Sequence, residues 1–324
     1  MRYLSILFFL TILLPLSVKS QNEFPRDTSY SVWSSWQKIK KHHPEVTPVQ
    51  EIKSNKFLSL RDQVYRLRDN RILRMDIFLP NHTPGEKRPL VMMIHGGGWR
   101  SGDKSHLVPL AQQLAIDGYV TASVEQRLSI EALYPAAPHD LKEAIRFLKH
   151  NADIYGIDTT RIAVLGASSG ATMASLMAFT GNNTKFDDPE TVYPNISAKV
   201  QALINIDGVI DFTDPNESAK DTKPDKPSAG AMFFGCTYQE CPDKWIEASP
   251  IQYIGKDVPP TLYINSSYPR FHAGRDELFK LMDQYGIYHE QHGFENTPHA
   301  FWLLHPWFDQ THSYILNFLD HIFQ

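Results

Sequence analysis

The sequence predicts an α/β protein built on a doubly wound, mostly parallel sheet. Short apolar runs recur along the chain at 89–95, 119–124, 161–165, 200–206 and 260–264. Between them, segments such as 140–151 and 276–285 place apolar residues at helical spacing. Strands covered by helices on both faces have such continuous apolar runs because neither face meets water.

The start of the chain has the pattern of a secretory signal peptide. Arg2 is followed by an apolar run from Leu4 to Leu16 and by small residues before Gln21. A membrane anchor is the alternative, but the run is shorter than the roughly 20 apolar residues that a spanning helix needs. We therefore predict a cleaved signal peptide over residues 1–20 and a protein that is secreted or periplasmic, with no membrane association after cleavage.

The remaining chain divides into an N-terminal extension, 21–63, and one large domain, 64–324. Apolar residues alternate from Val64 onward around an Asp69-Asn70 turn, which predicts an antiparallel β-hairpin at the start of the domain. We expect these apolar residues to face one way: Tyr65, Leu67, Leu73, Met75, Ile77 and Leu79. Residues 213–250 are polar and rich in Pro, Lys and Asp, and are predicted to form a lid-like insertion.

Composition excludes some classes of function. The net charge of the 324 residues is −4 and the charges are interspersed, so no broad basic face indicates nucleic-acid binding. Cys236 and Cys241 are the only cysteines, which are too few to suggest a metal site, and no cofactor is predicted. In an oxidising compartment these two cysteines would pair, but two free thiols remain the alternative.

The strongest local motif is the glycine-flanked serine at 166–170, with the sequence Gly-Ala-Ser-Ser-Gly. It follows the predicted strand 161–165 directly and precedes an apolar helix. A serine in a tight strand-to-helix turn needs small neighbours, because larger side chains would collide with the adjoining elements. The positive end of the helix then lies where negative charge develops. We therefore predict Ser168 as a nucleophile.

A second motif, His-Gly-Gly-Gly-Trp, covers residues 95–99 after the predicted strand 89–95. Consecutive glycines expose backbone N–H groups, which suits stabilisation of a tetrahedral oxyanion. The predicted oxyanion donors are the amides of Gly97, Gly98 and Ser169. A flexible loop or a phosphate loop is the alternative, but the Lys-Ser/Thr pair of a phosphate loop is missing.

These two motifs, with the segments at 126–128, 134–136 and 139–140, resemble the esterase and lipase branch of the α/β-hydrolases. The similarity spans residue 64 to the C-terminus. The resemblance implies the α/β-hydrolase fold, acyl transfer through an acyl-serine, and catalytic residues in the order serine, acid, histidine. His299 lies in a segment similar to the family's histidine loop, and is the predicted general base.

The catalytic acid departs from the family pattern. Related esterases usually carry it on the loop that here reads Asn265 to Arg270, which contains no carboxylate. Asp207, at the end of the preceding strand, is the favoured replacement, because a buried carboxylate needs the pairing that a histidine would provide. Asp276 is the alternative acid, although helix capping would also explain it. Asp211, or a dyad without an acid, stays open.

The segment 266–276 resembles that of exported bacterial carbohydrate esterases, which implies deacetylation or similar de-esterification of plant polysaccharides. The candidate substrate contacts are Trp99, Arg270 and His272. Together with Arg275, the latter two would hold a sugar carboxylate, since guanidinium binds carboxylate through two hydrogen bonds. An ion pair with Asp276 or Glu277 is the alternative role of these basic residues.

Taken together, the motifs predict a serine carboxylic-ester hydrolase whose partner is a small-molecule or polysaccharide ester and not a nucleic acid. A peptidase of the same fold is an alternative, since the same chemistry cleaves amides. A catalytically inactive hydrolase-like binding module is a second alternative, because the usual acid is missing. The sequence leaves the oligomeric state open.

Overall fold

The computed structural model describes Asp27, 29–68, 70–81, 85–215, Glu217 and 226–324. The predicted signal peptide, residues 1–20, lies outside these ranges. Within them, no helix combines the length and apolar character needed to cross a membrane.

The described chain alternates strands and helices. The strands are β1 Thr47–Pro48, β2 Phe57–Arg68, β3 Arg71–Pro80, β4 Arg88–Ile94, β5 Val120–Val124, β6 Ile157–Ala167, β7 Ala202–Ile206, β8 Thr261–Asn265, β9 His289–Gly293 and β10 Leu304–His305. The α-helices are α1 Val32–Ile39, α2 Val108–Ile116, α3 Ala136–His150, α4 Ala152–Tyr155, α5 Ser169–Phe179, α6 Ala229–Phe234, α7 Pro242–Ala248, α8 Arg275–Tyr285 and α9 Trp307–Phe323.

Eight strands form one sheet in the order β2-β3-β5-β4-β6-β7-β8-β9. The pairs β2-β3 and β3-β5 are antiparallel, and every later pair in the sheet is parallel. The short strands β1 and β10 pair separately. The predicted α/β class, with a mostly parallel sheet and a leading hairpin, is confirmed. In such a sheet, ligand sites form where loops leave the carboxyl ends of the strands.

The core lies on both faces of this sheet. Along β4, Leu90, Met92 and Ile94 pack on one side with α3 and α5. The intervening Val91 and Met93 pack on the other side with α2 and α9. All five are fully buried. Side chains alternate across a strand, so a strand covered on both faces must be apolar at every position, as this run is.

The hairpin differs from its prediction in two respects. Strand β2 begins at Phe57, within the segment predicted as an extension. Its register shifts between Val64 and Arg66, so Tyr65 and Arg66 are both buried. Leu67 was expected to face the core with Tyr65 but is 61% exposed. An irregularity of one residue reverses the side on which later residues of a strand lie, and alternation in the sequence does not reveal it.

The described part of the N-terminal extension packs against the domain. The indole of Trp36 donates a hydrogen bond to the carbonyl of Val46 (2.9 Å) and packs beside the core face that contains α2 and α9. Helix α1 begins with a capping box between Ser31 and Ser34. Trp33, in contrast, is 61% exposed. The extension therefore holds a fixed position on the body of the protein.

The predicted insertion contains α6 and α7, and a disulfide joins Cys236 to Cys241 across a Cα–Cα distance of 6.1 Å. Phe234 and Trp245 from these helices are fully buried and their rings pack 4.6 Å apart. This described part of 213–250 is thus anchored in the core. Its function as a lid stays a prediction.

Candidate active site

Ser168 lies in the turn between β6 and α5, with φ 55° and ψ −127°. Positive φ is unfavourable for a residue with a side chain, so the surrounding structure must enforce this conformation. Gly166 explains part of it, because a Cβ at that position would collide with the backbone of Gly170. The close crossing of strand and helix directs Ser168 outward at the carboxyl edge of the sheet.

Ser168, His299 and Asp207 form one chain of hydrogen bonds. The Oγ–H of Ser168 donates to Nε2 of His299 (2.8 Å). The Nδ1–H of His299 donates to Oδ2 of Asp207 (2.7 Å). The carboxylate accepts only from a protonated Nδ1, so it leaves Nε2 as the acceptor of the serine proton. The structure therefore brings together the predicted nucleophile, base and favoured acid in the arrangement that proton transfer requires.

Asp207 follows β7 directly and is fully buried. Its Oδ1 accepts a hydrogen bond from the amide of Ser266 (2.8 Å) and a longer one from Nδ2 of Asn265 (3.4 Å). Oδ1 is thereby anchored while Oδ2 faces the histidine. Burial of an ionised carboxylate is costly unless hydrogen bonds compensate it, and these partners do so. The loop after β8 thus supports the acid instead of carrying one.

The alternative acids lie elsewhere. Asp276 is 75% exposed and pairs with Arg275 (2.7 Å). Asp211 accepts hydrogen bonds from the amide and the hydroxyl of Thr213, each at 2.7 Å. Neither is bonded to His299. The sequence expectation that Asp276 begins a helix is confirmed, since it is in the first turn of α8.

Aromatic rings hold the imidazole of His299 on two sides. The ring of Phe271 stacks on it, with centroids 3.7 Å apart and planes 8° from parallel. Trp302 contacts it edge-on at 5.1 Å. The two rings restrict rotation of the imidazole, so the geometry of the hydrogen-bond chain depends on them. Phe271 was not predicted, because no local sequence pattern shows which aromatic side chain packs on the histidine.

Phe271→Ala is expected to lower kcat for a small neutral acetyl ester about three- to tenfold, since an aromatic pair contributes about 0.5–1.5 kcal/mol. The matched control is Phe279→Ala, which removes an equivalent stack on His289 (4.5 Å, 9°), outside the hydrogen-bond chain. Steady-state kinetics of both variants provide the measurement. Equal losses in both would show that Phe271 has no special effect on His299.

The glycine loop lies beside the serine. Gly97 has φ +133° and a Cβ there would collide with the carbonyl of Ser101, so only glycine fits. Within the described chain, the amides of Gly97, Gly98 and Ser169 donate to no backbone or side-chain acceptor. Unpartnered N–H groups at the first turn of a helix and in a glycine loop suit an anionic ligand. Their oxyanion role stays a prediction.

A cavity of about 430 Å³ contains Ser168, His299, Gly97 and Gly98. Its other lining residues are Arg100, Ser101, Asp27, Ser29 and Tyr30. The last three belong to the N-terminal extension, whose contribution no motif predicted. The extension is tied to the glycine loop, because the amide of Gly102 donates to the carbonyl of Asp27 (3.0 Å). Desolvation of the Tyr30 hydroxyl raises its pKa, so this wall presents a neutral phenol.

The predicted substrate contacts Trp99 and Arg270 have different surroundings in the structure. Trp99 is 7% exposed and packs against Phe212 and Phe233, each at 5.3 Å, so its visible role is packing in the core. It lines neither cavity that contains His299. Its substrate role stays a prediction, since the rings of Phe212 and Phe233 cover it. Arg270, in contrast, does line a cavity that contains His299.

The other basic residues of the 266–276 segment have structural partners. Nε2 of His272 is 3.0 Å from the carbonyl oxygen of Ser266. Nη1 of Arg275 donates to Oδ1 of Asn265 (2.9 Å), and its other nitrogens pair with Asp276. The ion-pair role considered for Arg275 is thus the one observed. Among the residues described here, no group of three or more His, Cys, Asp or Glu is placed to hold a metal ion.

The sheet topology, the strained serine turn and the serine–histidine–aspartate chain define the α/β-hydrolase class. A family model, BD-FAE, matches residues 75–270. That range is more than half of the chain, and the chain belongs to the BD-FAE family. The resemblance to the esterase branch seen in the sequence motifs is confirmed.

Sequence relatives include two proteins of Mycobacterium tuberculosis. LipM, whose name is probable carboxylic ester hydrolase, is 29% identical over 223 residues, covering 67% of this chain and 50% of LipM. Esterase LipC is 26% identical over 228 residues, covering 69% of this chain and 55% of LipC. The chain spans about half the length of these curated relatives.

Solved structures share the fold. The propionate-bound esterase of the Planctomycetes species Thermogutta terrifontis has a TM-score of 0.67 at 21% identity, covering 83% of this chain and 95% of that one. A bifunctional GH43-CE protein of Bacteroides eggerthii has a TM-score of 0.66 at 24% identity, covering 81% of this chain and 38% of that one.

Proposed function

We propose that this protein is a serine carboxylic-ester hydrolase that removes acetyl or similar acyl groups from plant polysaccharides or oligosaccharides through an acyl-serine intermediate. The names of its sequence relatives support ester hydrolysis. One structure that shares its fold is that of a truncated carbohydrate esterase from gut microbiota (TM-score 0.65, 20% identity), which supports a carbohydrate ester as substrate.

The observation that carries the proposal is the hydrogen-bond chain from Ser168 through His299 to Asp207. In the first step, Nε2 of His299 accepts the proton of Ser168 while Oγ attacks the carbonyl carbon of the ester. The carbonyl oxygen becomes an oxyanion facing the amides of Gly97, Gly98 and Ser169. Asp207 stabilises the imidazolium that forms.

The intermediate then collapses. The bond between the carbonyl carbon and the alcohol oxygen breaks, and His299 transfers its proton to that oxygen, which releases the alcohol and leaves the acyl group on Ser168. A water molecule attacks the acyl carbon while His299 accepts its proton. Breaking the bond to Oγ then releases the carboxylic acid, and the proton returns to Ser168.

Export is part of the proposal. The disulfide between Cys236 and Cys241 supports it, because disulfides persist in oxidising compartments and are rare in reducing ones. A secreted or periplasmic enzyme would also meet polymeric esters that do not enter cells.

A fluorophosphonate probe tests whether the serine is activated. We expect the folded protein to form one covalent adduct, located by peptide mass spectrometry on Ser168, because only a serine with a positioned base attacks the phosphorus. Heat-unfolded protein and Ser168→Ala are the controls and should stay unlabelled. A folded protein that does not react would favour the inactive binding module considered from the sequence.

A further inference from the structure

A second cavity, of about 700 Å³, extends from His299 between α1 and the turn Pro269–His272. Ser29, Tyr30 and His299 line both this cavity and the smaller one that contains Ser168. The two cavities therefore adjoin at His299. We name the larger one the α1 cleft; its lining is Ser29, Tyr30, Ser34, Ser35, Lys38, Ile39, His42, His43, Tyr268, Arg270, Phe271, Pro298, His299 and Ala300.

The position of the α1 cleft assigns it to one part of the ester. His299 must deliver a proton to the alcohol oxygen as it leaves, so that oxygen lies near Nε2. The α1 cleft lies on the histidine side and contains neither Ser168 nor the glycine loop. The alcohol portion of the ester, rather than its acyl group, thus extends into the α1 cleft.

The charges of the α1 cleft have one sign. Its lining includes the cationic side chains of Lys38 and Arg270 and no acidic residue, and His42 and His43 add positive charge only when protonated. Glu217, the ion-pair partner of Arg270, lies outside the lining. His43 is compensated in part by Glu45, which lies 3.5 Å away outside the lining. Lys38 is exposed and forms no ion pair within the described chain. Such a cleft attracts an anionic group, since charges that line a concave surface act together on a ligand.

Arg270 is held in position for such a ligand. Its Nε donates to Oε1 of Glu217 (3.1 Å), a side chain with no exposure, and its guanidinium lies 5.4 Å from the ring centroid of Phe271. The Arg270 side chain itself is 41% exposed. With Nε fixed by Glu217, the two terminal nitrogens have no hydrogen-bond partner among the described residues and can bind a planar anion such as a carboxylate.

Tyr268 completes the recognition chemistry. Tyr268 is 51% exposed and lines the α1 cleft together with Arg270. An exposed aromatic face next to a polar tip provides a surface on which the C–H groups of a sugar ring pack while hydroxyl groups stay hydrated. The combination of a flat ring and basic groups fits a sugar that carries an acid.

We propose that the α1 cleft binds the alcohol portion of the substrate and that this portion is a uronic-acid sugar, whose carboxylate is bound by Arg270 and Lys38. This inference rests on the proposed ester hydrolysis and adds the substrate class of that same site. It makes Lys38 and Arg270 specificity-determining residues and gives the N-terminal extension a function in substrate selection.

The test compares three substrates: acetylated oligogalacturonides, their carboxyl-reduced counterparts, in which each carboxylate is replaced by a primary alcohol, and 4-nitrophenyl acetate. We expect higher kcat/KM on the acidic oligosaccharide than on its reduced counterpart, and a preference that weakens as salt is added. Lys38→Glu should lower kcat/KM on the acidic substrate by about three- to tenfold, mainly through KM, because it reverses an exposed charge.

The matched control is Lys41→Glu, which makes the same charge change at an exposed lysine outside the α1 cleft. It should change none of the three activities, whereas Lys38→Glu should lower the ratio of kcat/KM on the acidic oligosaccharide to kcat/KM on its carboxyl-reduced counterpart. Arg270 is tested as the double variant Arg270→Gln/Glu217→Gln, which removes both charges of the ion pair together. This variant should also lose the preference for the acidic substrate.

Two results separate this inference from the proposed function. Equal kcat/KM on acidic and reduced oligosaccharides, or equal effects of Lys38→Glu and Lys41→Glu, would overturn the uronic-acid assignment and leave ester hydrolysis intact. Absence of all ester hydrolysis would overturn the proposed function. Calorimetric titration of Ser168→Ala with deacetylated oligogalacturonide would then test binding in the α1 cleft independently of catalysis. Binding that Lys38→Glu weakens would support the uronic-acid assignment, and absence of binding would contradict it.

Discussion

Ser168→Ala is expected to lower kcat for ester hydrolysis by about 10⁴- to 10⁶-fold, because the acyl-serine pathway cannot proceed without Oγ. What remains would come from the oxyanion amides and substrate binding alone. The measurement is the steady-state rate with 4-nitrophenyl acetate, at protein concentrations high enough to detect slow turnover.

The neighbouring serine provides the control. Ser169→Ala keeps the backbone amide that is predicted to face the oxyanion, and the described chain offers its side chain no hydrogen bond. Its kcat should stay within about twofold of the original value. If Ser168→Ala kept more than about one hundredth of the activity, Ser168 would not be the nucleophile.

Asp207→Asn is expected to lower kcat by about 10³- to 10⁴-fold with little change in KM. The amide has the size of the carboxylate and can still accept the hydrogen bond from Ser266. It would, however, offer an N–H to Nδ1 of His299, which favours the tautomer whose Nε2 cannot accept the serine proton. The loss would therefore come from the histidine and not from unfolding, which thermal melting of the variant checks.

Asp276→Asn is the counterpart, since Asp276 was the alternative acid from the sequence and pairs only with Arg275 within the described structure. Its kcat should change by less than about twofold, as for other exposed positions. A larger loss for Asp276→Asn than for Asp207→Asn would reverse the assignment of the acid.

The sequence predicts the parts of this site that depend on local pattern. The elbow around Ser168 needs glycines at fixed positions, and the part of β6 that precedes it, residues 162–165, is apolar at every residue because both of its faces are buried. Asp207 could be favoured for a similar reason, since a carboxylate directly after a buried strand needs a partner. These features follow from short stretches of chain, so a single sequence contains them.

Contacts between distant segments were not predictable in this way. Tyr30 lines the cavity at Ser168 although 137 residues lie between the two in the sequence. Trp99 was predicted as a substrate contact, but the rings of Phe212 and Phe233, both distant in sequence, pack on it. Leu67 was expected to face the core, because the alternation of apolar residues in the sequence does not reveal the register shift in β2. In each case the deciding partner is far away in sequence or the deciding feature is a backbone detail.

The position of Asp207 directly after β7 has a consequence for which parts of this site can vary in sequence. In an arrangement with the acid on the loop after β8, any change in that loop risks the proton relay. Here that loop contributes to Asp207 the backbone amide of Ser266, which every residue except proline provides, and, at its start, the side-chain amide of Asn265. Substitutions at Tyr268 and Arg270 therefore remove neither hydrogen bond to Asp207, so the exposed part of this loop can change while the carboxylate that orients His299 keeps its position.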